Sequence, residues 1–242
     1  MKINIKMALV AGVISVSILA GGLPAEAHPG SKDNITKVTT EKKSLQERIH
    51  AILYPEGDPE EKNVIEDVIV DHLDDPSAIA GNPMATRAQC VRFLLAHNPH
   101  PSIAVSPEEL VDCYYEEAAI EGIRPDVAFV QAIKETGFFR YGGTVLPEQN
   151  NYCGLGTTSA YVKGGYFPSA RIGVRAHIQH LMAYSTTRRP KQDIVDPRYT
   201  LVRNIYGSRT LLHWEDLNGR WAVPGDGYGE SILSIHRNLL KY

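Results

Sequence analysis

The sequence predicts an α+β protein dominated by helices, and three features carry that expectation. Apolar residues recur at three- and four-residue intervals in several separate stretches. Helix-start signals, a small polar residue followed by proline and acids, precede two of these stretches. The intervening segments are rich in Gly, Tyr, Asn and Pro, which suits loops with at most a short hairpin. At 43% hydrophobic and 22% charged over 242 residues the chain is globular, not disordered. A net charge of −3 provides no basic field, so nucleic-acid binding through bulk electrostatics is not expected.

Residues 1–27 read as a secretory signal peptide. Lys2 and Lys6 precede an apolar run from Met7 to Ala20, and Pro24 leads into Ala25-Glu26-Ala27, a small-x-small cleavage site ahead of His28. The run is short of the roughly 20 residues that span a bilayer. The mature protein is therefore expected outside the cytoplasm and free of the membrane. Three cysteines remain, Cys90, Cys113 and Cys153. That is too few for a disulfide-built scaffold, and buried thiols are favoured over a Cys90–Cys113 bridge.

Residues 28–77 are expected to form a polar tether and a helical pair. The tether is 28–43. Leu45, Ile49, Ile52 and Leu53 then mark one helix, and Asp58-Pro59-Glu60-Glu61 opens a second, with Val64, Ile65, Val68, Ile69 and Leu73 on its apolar face. The main domain is expected over 78–242. In it a helix at 107–121 opens on Ser106-Pro107-Glu108-Glu109 and stops at Gly122. Another begins at Pro125. A third runs from Ser169 to about Tyr184, with Val174, Ile178, Leu181 and Met182 on one face. Segment 137–168 should be loop with a short hairpin, 188–230 should be loop-rich, and a last helix fits 230–240.

Charge divides the chain. Residues 28–136 hold 10 Lys+Arg against 20 Asp+Glu, whereas 137–242 hold 13 against 7. Either two faces attract each other within one fold, or the basic half meets an anionic polymer.

The chemistry concentrates in Pro125–Phe138. On a helix, Val127, Ala128, Phe129, Val130, Ala132 and Ile133 cover nearly the whole circumference, and such a helix is buried. Gln131, Lys134 and Glu135 form a narrow polar wedge. Burial and the helix C-terminus both push the Glu135 pKa upward. A carboxyl still protonated near neutrality is what a glycosidic leaving group requires. A surface glutamate at a frayed helix end is the plain alternative. Downstream, Gln149-Asn150-Asn151-Tyr152-Cys153-Gly154-Leu155-Gly156, then Tyr161 and Gly164-Gly165-Tyr166-Phe167, combine amides, aromatic rings and glycines. That mix suits an uncharged, polyhydroxylated ligand.

Four ordered stretches carry a resemblance: EGIRPDVAFVQAIKETGFFRYGG, QNNYCGLGTT, GVRAHIQHLMAY and LNGRWAVPGDGYGESI. Together they are similar to the glucosaminidase family of bacterial cell-wall hydrolases (glycoside hydrolase family 73), over roughly 78–240. The resemblance implies a lysozyme-like fold with a small β-lobe. It also implies cleavage of the N-acetylglucosamine-β-1,4-N-acetylmuramic acid bond of peptidoglycan outside the cytoplasm, at the cell wall. Peptidoglycan glycan strands would be the partner, and no cofactor or metal is implied. The family's acid, in A-x-x-E-(T/S)-G-(F/W/Y), maps onto Glu135. The family's groove wall maps onto Asn150, Asn151, Tyr152 and Gly154, and Gln131, Tyr166, His180 and Tyr184 complete the expected substrate-binding set. Family members often carry a second acid in the β-lobe, but here 149–192 contains no Asp or Glu. Glu148 is the nearest candidate, with Asp193 and Asp196 next.

Four rival readings remain. His177 and His180 could bind a metal, although no carboxylate stands at zinc-ligand spacing. Cys153 could serve a cysteine peptidase with either histidine. A lytic transglycosylase works with a single glutamate on the same fold. A wall-binding module without catalysis belongs to another class.

Overall fold

A computed structural model describes residues 75–157, 163–222 and 225–242. The expected leader, tether and helical pair before residue 75 lie outside the described residues. Six helices make up the described fold: α1 Arg87–His97, α2 Pro107–Glu121, α3 Pro125–Glu135, α4 Ala170–Ser185, α5 Tyr199–Tyr206 and α6 Tyr228–Leu239. Short 3-10 turns stand at Pro147–Gln149 and Trp214–Leu217. The mainly helical expectation holds. Among the described residues, β structure is limited to three isolated bridges, Ala78 with His213, Ala80 with Ile123 and Asn218 with Ala222. The described parts of 137–168 carry no paired strands, so loop replaces the expected hairpin there.

The helix ends follow their local chemistry. Ser106 Oγ accepts from the Glu109 amide at 3.1 Å to start α2, and Gly122, at φ 72°, stops it in the left-handed conformation. Ser169 Oγ accepts from the Ile172 amide at 3.3 Å to start α4. Two helices were not anticipated. In α1, Thr86 and Gln89 cap each other's backbone at 2.9 and 3.2 Å. The eight residues of α5 are pinched between Pro197 and Gly207.

α3 occupies the centre. Every residue from Pro125 to Ile133 is buried, and α1, α2 and α6 pack around it. Its N-terminus is tied down by two buried charges. The Arg124 guanidinium donates to the carbonyls of Ala78 (3.3 Å), Asn82 (2.9 Å) and Asp75 (2.7 Å). Asp126 Oδ2 accepts from the Met84 and Ala85 amides at 2.9 and 2.8 Å and from His236 Nε2 of α6 at 2.8 Å. Burial works to raise the Asp126 pKa, but His236 and the two amides hold it below the ordinary carboxylate value.

Charge attraction between the two halves of the sequence is visible in the packing. Buried Glu117 of α2 receives Arg171 (3.2 Å) and Arg175 (2.9 Å) of α4, and Gln192 Nε2 at 2.8 Å. Buried Glu121 receives Arg188 at 3.3 Å and the Lys191 amide at 2.9 Å. All three cysteines are buried free thiols.

Asp126→Ala strips His236 and two amides of their acceptor, with an expected loss of roughly 3 kcal/mol. Thermal unfolding reads this as a lower midpoint, by about 2–4 °C per kcal/mol. Because the folded-state pKa is depressed, the loss is full near neutrality and shrinks as pH falls below about 4.

Candidate active site

Glu135 is the last residue of α3, where the buried helix breaks the surface. Just beyond it the chain turns left-handed through Gly137 (φ 59°), Phe138 (58°) and Phe139 (55°). For phenylalanine that conformation costs about 1–2 kcal/mol per residue. Phe139 offsets the strain by full burial against Phe129 and Tyr152, with ring centroids 6.0 Å from each. The Thr136 hydroxyl donates to Ala132 O at 2.7 Å and accepts from the Phe139 amide at 3.0 Å, which seals the turn.

The Glu135 side chain is open to solvent, while dense protein surrounds it on its other sides. That desolvation pushes its pKa up, against the opposing pulls of the Tyr228 hydroxyl and the Lys134 charge. Tyr228, at the start of α6, donates its hydroxyl to Glu135 Oε1. Behind it, Gln131 Nε2 donates to Tyr228 Oη at 2.8 Å, and Gln131 Oε1 lies 2.8 Å from His177 Nε2. Tyr114 Oη reaches His177 Nδ1 at 2.9 Å. Burial pushes the His177 imidazole down to about 3, so it is neutral at ordinary pH.

The expected site residues divide by what their polar atoms do. Gln131 is fully buried, and both ends of its amide are bonded within the protein. Asn150, Asn151 and Tyr152 are buried too. Asn150 Nδ2 donates to Phe167 O at 3.0 Å, and the Tyr152 hydroxyl donates to Asn150 Oδ1 at 3.2 Å. Asn151 Nδ2 donates to Leu155 O (2.9 Å) and Gly165 O (3.2 Å), and its Oδ1 accepts the Leu155 amide at 2.9 Å. Their amides lock the loop around Gly154, which sits at φ 70°. His180 is buried with Nδ1 2.8 Å from Asp196 Oδ2, beside the rings of Trp221 and Tyr184. Tyr184 is itself buried against Tyr206 and Trp221. Tyr166 is 69% exposed, and Glu148 is exposed on the Pro147–Gln149 turn.

Two rival chemistries meet these facts. His177 and His180 spend their bonds on Gln131, Tyr114 and Asp196 rather than converging on one point. The Cys153 thiol is pushed well above its ordinary pKa by burial and by the charges of Glu135 and Asp196. A nucleophilic cysteine needs the opposite shift. Sequence reasoning gave Tyr228, Tyr114 and Trp221 no role. Tyr228 and Trp221 both lie in the fourth stretch that carried the resemblance, and this was the signal available for them.

Buried α3 thus ends in a desolvated carboxyl at the surface, beside a loop locked by its own amides. The family model for glucosaminidase, described as mannosyl-glycoprotein endo-beta-N-acetylglucosaminidase, matches residues 111–239, more than half of the chain, and the protein belongs to that family. An uncharacterized protein of Borreliella burgdorferi is 38% identical over 129 residues, covering 53% of this chain and 61% of the relative. The chain thus spans under two thirds of that relative's length. No solved structure matches. The matched family is one of glycoside hydrolases. Among the described residues no helix is long and apolar enough to cross a membrane.

Gly173 of α4 faces the loop directly. A Cβ there would stand 1.8 Å from Asn150 O, so α4 and the loop touch only because the residue is glycine. Gly173→Ala is expected to cost roughly 1–3 kcal/mol of stability, and to displace the loop enough to reduce glycan cleavage. Thermal unfolding and wall-lysis assays on the same preparation check both effects.

Proposed function

We propose that the protein is a secreted endo-β-N-acetylglucosaminidase that cleaves the glycan strands of the bacterial cell wall, with Glu135 as general acid. One observation carries the reading: the Glu135 carboxyl reaches solvent from a desolvated position that raises its pKa. Such a group keeps its proton to higher pH than an ordinary carboxyl and can deliver it to the glycosidic oxygen as the C–O bond breaks. Secretion rests on the leader-like residues 1–27. Direct sugar contacts fall to the exposed groups beside the loop, Tyr166 foremost, while Asn150, Asn151 and Tyr152 shape the wall from behind.

Glu135→Gln removes the transferable proton without changing shape. Lysis of purified cell walls is expected to fall by about 10²–10⁴-fold. The sign for stability is the reverse. A carboxyl whose folded pKa is raised stabilises the fold below its unfolded pKa and loses that contribution as pH rises through the folded value. The variant should therefore melt higher than the wild type near neutrality, with the gap closing under acid conditions. A variant that clears walls at the wild-type rate removes Glu135 from this role.

Water must still attack the anomeric carbon. Asp196 is buried and bonded to His180 and to the Arg198 amide at 2.8 Å, while Asp193 and Glu148 are both exposed, Glu148 on the turn that leads into the Asn150-Asn151-Tyr152 loop. We infer that the 2-acetamido oxygen of the substrate supplies the nucleophile, as in substrate-assisted glycosidases. Glu148→Gln should then slow lysis far less than Glu135→Gln, and de-N-acetylated glycan should resist cleavage. Normal cutting of de-N-acetylated glycan with an inactive Glu148→Gln would make Glu148 the second catalytic residue.

The same lone acid also suits a lytic transglycosylase. Mass spectrometry separates the two readings: a hydrolase leaves a free reducing N-acetylglucosamine end, a transglycosylase an anhydro sugar.

A further inference from the structure

Four buried polar side chains stand in a row behind Glu135, each from a different helix: Tyr114 of α2, His177 of α4, Gln131 of α3 and Tyr228 of α6. Their chemistry gives the row one direction. The nitrogen end of the Gln131 amide faces Tyr228 Oη and its oxygen end faces His177 Nε2. An amide oxygen cannot donate, so His177 carries its hydrogen on Nε2. The ring is neutral, and its Nδ1 is then an acceptor for the Tyr114 hydroxyl. At the other end the amide N–H occupies Tyr228 Oη as acceptor, and the phenol hydrogen turns to Glu135 Oε1. All four donors point toward the acid. Reversing the row requires the Gln131 amide to turn over, which breaks its bonds to His177 and Tyr228 together.

We propose that Tyr114, His177, Gln131 and Tyr228 form a positioning row, with its direction set by Gln131, that fixes which oxygen of Glu135 carries the transferable proton. The proposal rests on Glu135 being the acid. Oε1 is engaged as the acceptor of the Tyr228 hydroxyl, and among the described residues no other group bonds the carboxyl. The acid proton therefore sits on Oε2. It passes to the glycosidic oxygen as that oxygen takes the electron pair of the breaking C–O bond. The carboxylate left behind keeps the Tyr228 bond on Oε1, which is worth more to the charged form than to the neutral one.

The titratable groups around Glu135 are Lys134 on its own helix, Tyr228 on α6 and Cys153 on the loop. The Lys134 ammonium donates to Ser231 Oγ at 3.0 Å, and burial keeps the Cys153 thiol protonated. Neither is altered by the variants below, so a shift in pH dependence reports on the row.

The test is the pH profile of purified peptidoglycan lysis by the full chain, with thermal unfolding and circular dichroism as fold controls. Tyr228→Phe removes the bond that favours ionised Glu135, so the acid keeps its proton to higher pH. The alkaline limb should move up by about one pH unit, and the maximal rate should fall by roughly tenfold or more. Gln131→Glu keeps an acceptor for His177 but draws the Tyr228 hydrogen away from Glu135, and the introduced charge adds to the effect. Its alkaline limb should move up at least as far. Folded Tyr228→Phe protein with a wild-type profile overturns the proposal, whether or not Gln131→Glu folds. Glu135→Gln run alongside separates the two layers. If it lyses walls, the functional reading falls; if it is inactive while Tyr228→Phe shows no shift, only the row's role falls.

Discussion

The rest of the structure depends on the burial of α3. Its sides are apolar almost all round, so it can only sit in the middle of the fold, and other helices must close over it. A helix so placed has no water to satisfy Gln131 and Asp126, and each leaves its mark on the neighbours. Asp126 draws His236 and the backbone at Met84 and Ala85 to one end. Gln131 draws His177 and Tyr228 to the other. Buried polar groups are costly unless every bond is made, and here the required bonds link α3 to α4 and α6. The same burial delivers Glu135 to the surface with protein, rather than water, at its back.

Strain and desolvation collect around that residue. Phe138 and Phe139 accept left-handed backbone within four residues of Glu135, and Tyr141 (φ 57°) does so slightly further on. Strained backbone of this kind persists only where the surroundings over-determine it. Phe139 supplies that constraint by packing into the aromatic group of Phe129, Tyr152 and Tyr114. The loop opposite is held differently. Its Gln149, Asn150 and Asn151 amides replace the backbone ladder that a β-hairpin would use, bonding the carbonyls of Lys163, Gly165, Phe167 and Leu155.

This substitution explains what the sequence did and did not reveal. Helices α2, α3, α4 and α6 were legible because periodicity and end signals agreed, as at Ser106 with Gly122. Helix α1 begins at a Thr86–Gln89 cap that resembles any polar turn, and α5 is too short to show a period. The place of Glu135, at the exposed end of a buried helix, was legible from the apolar run that leads up to it. Tyr228 was not, because its meaning lies in a partner 93 residues away. The Asn-rich segment advertised donors and acceptors for a sugar, but sequence shows hydrogen-bonding capacity and not whether it is already spent.

Charge patterning makes the same point from the other side. The acidic and basic halves invited a reading in terms of an anionic partner, yet Arg171, Arg175 and Arg188 of the basic half are committed to Glu117 and Glu121 of the acidic half. Part of the asymmetry is therefore the glue between α2, α4 and the 188–192 loop. The acid-free stretch 149–192 fits beside this. A carboxylate in the loop would compete with the carbonyls for the Gln149, Asn150 and Asn151 amides that hold the loop closed. Its ionised charge would also oppose loss of the Glu135 proton. A domain that locks its loop with neutral amides needs no carboxylate there, and on the proposed reading it leaves the second half of the chemistry to the substrate's own acetamide.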